Sequence, residues 1–202
     1  MTRSFFIEFV KSLAIVFTIF SLGGCASTKV TLHNAGNGIP LCQTQKTAPT
    51  ALILWGTAWR ENQKEVARRE GMASHAISQF FNSSPCFSKV DVLRLAAGRE
   101  AIRLSDKEAL EFAVSTGNNY DKVIFVRLEE LGPFVKINLS PVLWEGGTEV
   151  MLRVRVLNVT TSALETDASI HWKDSGAFVL KGNKTLEQDL QAALTSVFSE
   201  KR

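Results

Sequence analysis

The sequence predicts an α+β chain, with α/β as the alternative: a mixed β-sheet with antiparallel hairpins, packed by about three helices. Three observations carry that expectation. Between Ala51 and Leu128, apolar runs of strand length alternate with stretches of helical period. From Val135 onward the period changes to two, through Val150, Leu152, Val154 and Val156 and again through Leu164 to Trp172. The chain then closes on Leu186, Leu190, Ala193, Leu194, Val197 and Phe198, one face of an amphipathic helix. Alternating units suggest crossover topology, whereas consecutive strands suggest hairpins.

Taken in order, Ala51-Leu52-Ile53-Leu54-Trp55 is a continuous apolar run, as expected of a strand covered on both faces. Val66, Ala73, Ile77, Phe80 and Phe81 follow at helical spacing, and that helix must stop before Pro85. Lys89 to Leu95 forms a second strand. Ser105-Asp106-Lys107-Glu108 is a capping box in front of Leu110, Ala113 and Val114, with Gly117 placed as the C-terminal stop. Lys122 to Leu128 gives a third strand.

Glu145-Gly146-Gly147-Thr148 is then read as a hairpin turn. That register sets Leu143 against Val150, Leu139 against Val154 and Ile137 against Val156. It leaves Trp144, Val142 and Met151 together on the outer face, near the turn. A short strand is expected at Ala177 to Leu180, and Thr185-Leu186-Glu187-Gln188 reads as a second capping box. Residues 26–49, polar and small, read as a flexible tether. About 25 residues reach at most roughly 85 Å extended and about 28 Å as a coil.

The composition excludes several classes. With 45% hydrophobic residues among 202, the chain can build a core. A net charge of +3 is too small and too dispersed for a nucleic-acid footprint. His33, His75 and His171 have no second ligand at metal spacing, and no P-loop, nucleophile elbow or HExxH pattern occurs. No catalytic residue, cofactor or metal is therefore expected. An exposed aromatic beside aliphatic groups has the composition of a protein-binding hot spot. Val142, Trp144 and Met151 are thus the first candidates for partner binding, and Trp59 with Arg60, just past the first strand, are the second; a helix or loop covering the patch is the alternative for the first, core packing or a solvated loop for the second.

The N-terminus fixes the location. Arg3 and Lys11 precede Ser12 to Leu22, an apolar run without Asp, Glu, Lys or Arg. It is too short to span a hydrocarbon core, which needs about 20 residues, so residues 1–24 read as a cleaved signal. Leu22-Gly23-Gly24-Cys25 resembles a bacterial lipobox. The resemblance implies that Cys25 is acylated and becomes the first residue of the mature chain. With Ala26 rather than Asp next, it also implies the periplasmic face of the outer membrane. Residues 25–49 are then the tether and 50–202 a single globular domain. In that oxidising compartment Cys42 and Cys86 are expected to pair. A helix returning antiparallel to the first strand brings them together; two separate buried thiols are the alternative.

Three stretches extend the resemblance: Ala51 to Trp55, Asn119-Tyr120-Asp121-Lys122-Val123-Ile124-Phe125-Val126, and Leu152 to Asp167. In this order, behind a lipobox, they resemble the curli-secretion-channel proteins, the penicillin-binding-protein activator lipoproteins and the N-terminal domain of the Tol translocation protein. Of functional residues the resemblance carries over only the acylated Cys25; with the exposed patch and the lack of catalytic motifs, the chain reads as a non-enzymatic lipoprotein, an adaptor or assembly factor in an envelope complex, held to the membrane by its lipid and engaging an envelope protein. A carrier or sensor for a small apolar ligand is the alternative.

Overall fold

The computed structural model describes residues 27–35, 48–61, 63–95, 104–137 and 144–198. Six strands form one sheet: β1 Ser27–Ala35, β2 Thr50–Thr57, β3 Lys89–Arg94, β4 Lys122–Ile137, β5 Trp144–Asn158 and β6 Leu164–Ala177. Three helices pack on it: α1 Val66–Ser83, α2 Asp106–Ser115 and α3 Leu186–Phe198. The strand order is β1-β6-β5-β4-β2-β3. β2 runs parallel to both of its neighbours, and every other pairing is antiparallel. The expected mixed sheet with three helices is therefore the fold.

The parallel part follows from the crossovers. After β2, α1 carries the chain to β3 on one side, and α2 precedes β4 on the other. Even-numbered residues of β2, Leu52 and Leu54, pack with Ala109 and Ala113 of α2. Ile53 and Trp55 point the other way, into a larger core with α1 and α3. The continuous apolar run is thus a strand buried on both faces, as a parallel strand between helices must be.

α1 buries Arg69, Ala73, Ala76, Ile77 and Phe81, a stripe at three- and four-residue spacing. α3 answers with Leu186, Leu190, Ala193, Leu194 and Phe198. The two helices meet through tilted and edge-on contacts among Phe80, Phe81, Phe87 and Phe198, with ring centroids 5.1–6.2 Å apart. His75 and Glu187, 2.7 Å apart, and Gln79 and Gln191, 2.9 Å apart, bridge them at the surface. The Ser105 capping box is present: its hydroxyl accepts from the Glu108 amide, and Glu108 accepts from the Ser105 amide at 2.8 Å.

Four expectations are corrected. Residues 27–35, inside the stretch read as tether, form β1 on the outer edge of β6, pairing from Ser27 opposite Ser175 to Ala35 opposite Asp167. Ser-Thr-Lys-Val-Thr-Leu-His-Asn alternates too weakly to announce itself, because the strand gains a ready-made edge rather than a buried face.

The second correction is the hairpin. Gly146 and Gly147 lie inside β5, not at a turn, opposite Val135 and Phe134. β4 runs unbroken from Lys122 through a bulge at Glu129 to Ile137, which faces Trp144. Val156 therefore pairs with Ile124 and Val154 with Val126, instead of with Ile137 and Leu139. The glycines answer a close approach. A Cβ on Gly147 would lie 2.2 Å from the Asp174 carbonyl oxygen, and one on Gly146 would lie 2.0 Å from that of Val179.

Third, β6 extends through Ala177, and Phe178 turns the chain with φ 60°, so no separate strand begins there. Fourth, a 3-10 turn at Asn183–Thr185 leads into α3, and the Thr185 hydroxyl is buried without a hydrogen bond, so it caps nothing.

Candidate functional site

Alternation along β5 divides the predicted binding patch. Trp144 and Met151 are seven residues apart on one strand, hence on opposite faces and roughly 23 Å apart along it. Trp144 is half-buried at the far end, its ring edge-on to Phe178 with centroids 5.9 Å apart. Val142, Cys25 and Cys42 lie outside the described residues. Met151 is instead brought to Arg60, whose guanidinium contacts its sulfur. The two candidate patches thus exchange a member: Met151 joins Arg60, and Trp144 stands apart.

Trp59 belongs to packing. Half-buried against the main core, it donates from Nε1 to Glu70 at 3.3 Å. Glu70 also accepts from Thr57 at 3.0 Å and from Arg94. Burial opposes the charge on Glu70, but these hydrogen bonds outweigh it, and the carboxyl is held below its ordinary value. This cluster ties the exit of β2 to α1 and β3, which fixes the loop that projects Arg60.

Among the described residues, the face carrying Met151 is only half covered. α2 lies over Leu52, Leu54, Val123, Phe125 and Leu157. Beyond it, β5 and β6 carry paired polar side chains. Arg153 Nε donates to Asp167 at 2.7 Å, with a second contact from its Nη2. His171 Nε2 lies 2.5 Å from Glu149. The Arg153 hydrogen bonds, against the opposing effect of burial, hold the Asp167 carboxyl below its ordinary value.

At the α2 border, Arg155 stacks over Phe125 at 4.9 Å and donates to Asp106 at 2.6 Å and to the Leu104 carbonyl at 3.0 Å. Arg127 lies 3.2 Å from Glu129. These arginines line a cleft of about 250 Å³ with Leu54, Leu95 and Phe125. Each guanidinium has its own carboxylate, so the cleft carries three ordered ion pairs. A second hollow, of about 570 Å³, is shallow and open between Leu110, Val114 and Val159, unlike the enclosed apolar pocket a carrier requires.

His75 stands alone on α1, whereas His33 on β1 and His171 on β6 lie on paired strands two register positions apart, His33 opposite Ser169 and His171 opposite Thr31. Among the described residues no three His, Cys, Asp or Glu side chains gather as a metal site, and no helix is long and apolar enough to cross a membrane. Cys86 is half-buried between α1 and β3, packed on the main core.

No family model and no curated protein matches the chain. Solved structures that resemble it include the PelC dodecamer from Paraburkholderia phytofirmans, at 14% identity and a TM-score of 0.43, covering 86% of this chain and all of that one. The hypothetical protein CT253 from Chlamydia trachomatis matches at 11% identity and 0.43, covering 75% of this chain and 92% of that one. Lipoprotein GNA1162 from Neisseria meningitidis matches at 11% and 0.39, covering 74% and 98%. None of the three families the sequence pattern resembles is supported by these matches.

Proposed function

We propose that the chain is a non-catalytic lipoprotein of the cell envelope, anchored through Cys25 to the periplasmic face of the outer membrane, where it acts as an adaptor or assembly factor for a protein partner. The observation that supports this reading best is the uncovered part of the sheet. On the face that carries Met151, no helix among the described residues lies over β5 and β6, and Arg60, Met151, His171, Glu149, Arg153 and Asp167 stand there in ordered pairs. Side chains already fixed by neighbours lose less rotamer freedom when a partner docks. Arg and Met are enriched at interfaces.

A photocrosslinker placed at Arg60 or Met151 in intact envelopes tests the reading. Capture of one defined envelope protein, absent when the crosslinker sits on Gln79 between α1 and α3, is the expected result. Recovery of the lipoprotein alone from every position would sink the adaptor reading.

The proposal includes a Cys42–Cys86 disulfide. Cys86 is not a free thiol. Two residues on, the Ser88 amide donates to the Pro49 carbonyl at 3.0 Å, so the chain enters β2 beside the turn that carries Cys86.

A further inference from the structure

The end of the sheet that carries Trp144 combines three independent features. The first is apolar exposure. Val135 is 58% exposed, Ile137 66%, Phe178 56% and Leu180 76%. These are four of the ten large apolar side chains most exposed among the described residues. Exposed apolar groups gathered at one end mark a contact surface, whereas scattered ones need no explanation.

The second feature is order. Phe178 has φ 60°, a left-handed conformation that a bulky residue adopts only when its surroundings impose it. Its amide donates to the Trp144 carbonyl at 3.1 Å, and the next carbonyl, that of Val179, closes over Gly146. The chain thus holds Phe178 against Trp144 and leaves more than half of it in water.

The third is the register of β1. Ser27 pairs with Ser175, which pairs with Gly147, which pairs with Phe134. One to three residues further out along these strands come Val135, Ile137, Trp144 and Phe178. Cys25 precedes Ser27 by two residues, a chain span of at most roughly 7 Å. β1 therefore starts, and the acyl groups attach, at the same end of the sheet as the apolar cluster. Around it stand Lys29, Lys136, Lys173 and Lys181 against Glu145, Glu149 and Asp174, four basic groups to three acidic. Lys173 lies 4.5 Å above the Phe134 ring, and Lys181 pairs with Asp174.

We infer that this end of the sheet is a second membrane contact: Ile137, Trp144, Phe178 and Leu180 enter the interface of an anionic bilayer beside the acyl anchor. The inference rests on the lipoprotein reading above for its orientation. It adds that the domain is seated end-on and not left to swing on a tether. Aromatic and aliphatic groups ringed by lysines suit the headgroup boundary. Acyl chains and tip together also supply the two signals that durable attachment requires.

Two measurements test it. The chain purified from envelopes is reconstituted in vesicles of phosphatidylethanolamine and phosphatidylglycerol, with or without bromine on the acyl chains. Bromine is expected to quench tryptophan emission, and Trp144→Phe is expected to remove most of that quenching while Trp55, Trp59 and Trp172 remain. In flotation on the same vesicles, Cys25→Ser protein is expected to retain measurable binding. Adding Phe178→Asn and Leu180→Gln should lower its partitioning roughly tenfold at unchanged melting temperature, since Asn tolerates the left-handed backbone.

Equal emission with plain and brominated lipid, from protein that floats with both, would overturn the tip contact and leave the anchor standing. Tip substitutions that split a dimer in sedimentation but spare flotation would assign the tip to a second copy instead, which also overturns it. Fractionation unchanged by Cys25→Ser, with bromine quenching intact, would sink acylation and keep the tip.

Discussion

The two faces of the sheet solve the same problem differently. The face under α1 and α3 is apolar from Ala51 on β2 to Ile170 on β6, and four phenylalanines join its helices to each other. The opposite face is apolar only beneath α2; toward β6 it is held by Arg153–Asp167 and His171–Glu149. Burial of apolar surface stabilises by roughly 25 cal/mol per Å², whereas exposed ion pairs contribute at most about 1 kcal/mol each. The first face therefore holds the fold together, and the second is free to be specific without setting stability.

The largest expected effect breaks the first face. Phe81 is 1% exposed and contacts Phe80, Phe87 and Phe198. Phe81→Ala should cost about 3–5 kcal/mol, because it loses the transfer free energy of the ring and leaves a cavity lined by three others. Urea unfolding measures it. A loss under about 1 kcal/mol would mean that the α1–α3 seam is not the core.

The split between faces was legible where burial writes a period into the sequence. Ile53 and Leu54 announced a strand covered twice, Phe81 and Phe198 announced helix faces, and the Ser105 box announced a helix start that the structure contains. The candidate site was legible only residue by residue. Its geometry turned on Gly146 and Gly147, whose spacing suits both a two-residue turn and a strand crossed closely by backbone. Alternating apolar residues on both sides of the glycines satisfied either register: Val135 and Ile137 share a face with Val150 and Val154 in both, while Trp144, which the turn would set beside Met151, changes face. Only the long-range pairing of β4 with β5 separates the two, and it moves Met151 from Trp144 to Arg60. β1 was hidden for another reason: an edge strand exposed on both faces has no hydrophobic alternation to show.

A smaller effect tests the link between the chain before β2 and the main core. If Cys86 is joined to Cys42, Cys86→Ser should cost about 2–4 kcal/mol, the entropy of a loop of about 45 residues. The mass of the native chain should also rise by two hydrogens on reduction. Stability unchanged by both the substitution and reductant would return Cys86 to a packing role. Smaller again is Gly147→Ala, expected to cost about 1–3 kcal/mol by overpacking against the Asp174 backbone. A neutral result would reopen the register, since only β6 lying flush on Gly147 makes a methyl group costly.

The smallest effect belongs to the ion-paired face and carries its own pH signature. Arg153 is 47% exposed at its side chain and Asp167 17%, so solvent screens the pair and Asp167→Asn should cost under about 1 kcal/mol at neutral pH. The direction with pH is fixed by the lowered pKa of Asp167, whose first cause is the Arg153 hydrogen bond. A carboxylate that ionises more readily folded than unfolded binds fewer protons in the native state. Its stabilisation is fully present above the unfolded-state value near 4 and is lost as pH falls through the lower folded-state value. Native protein and Asp167→Asn should therefore differ most above about pH 4 and converge below it, by urea midpoint at a series of pH values. A gap that widened on acidification would show that the Arg153–Asp167 pair opposes folding, and that this face is ordered by its backbone register alone.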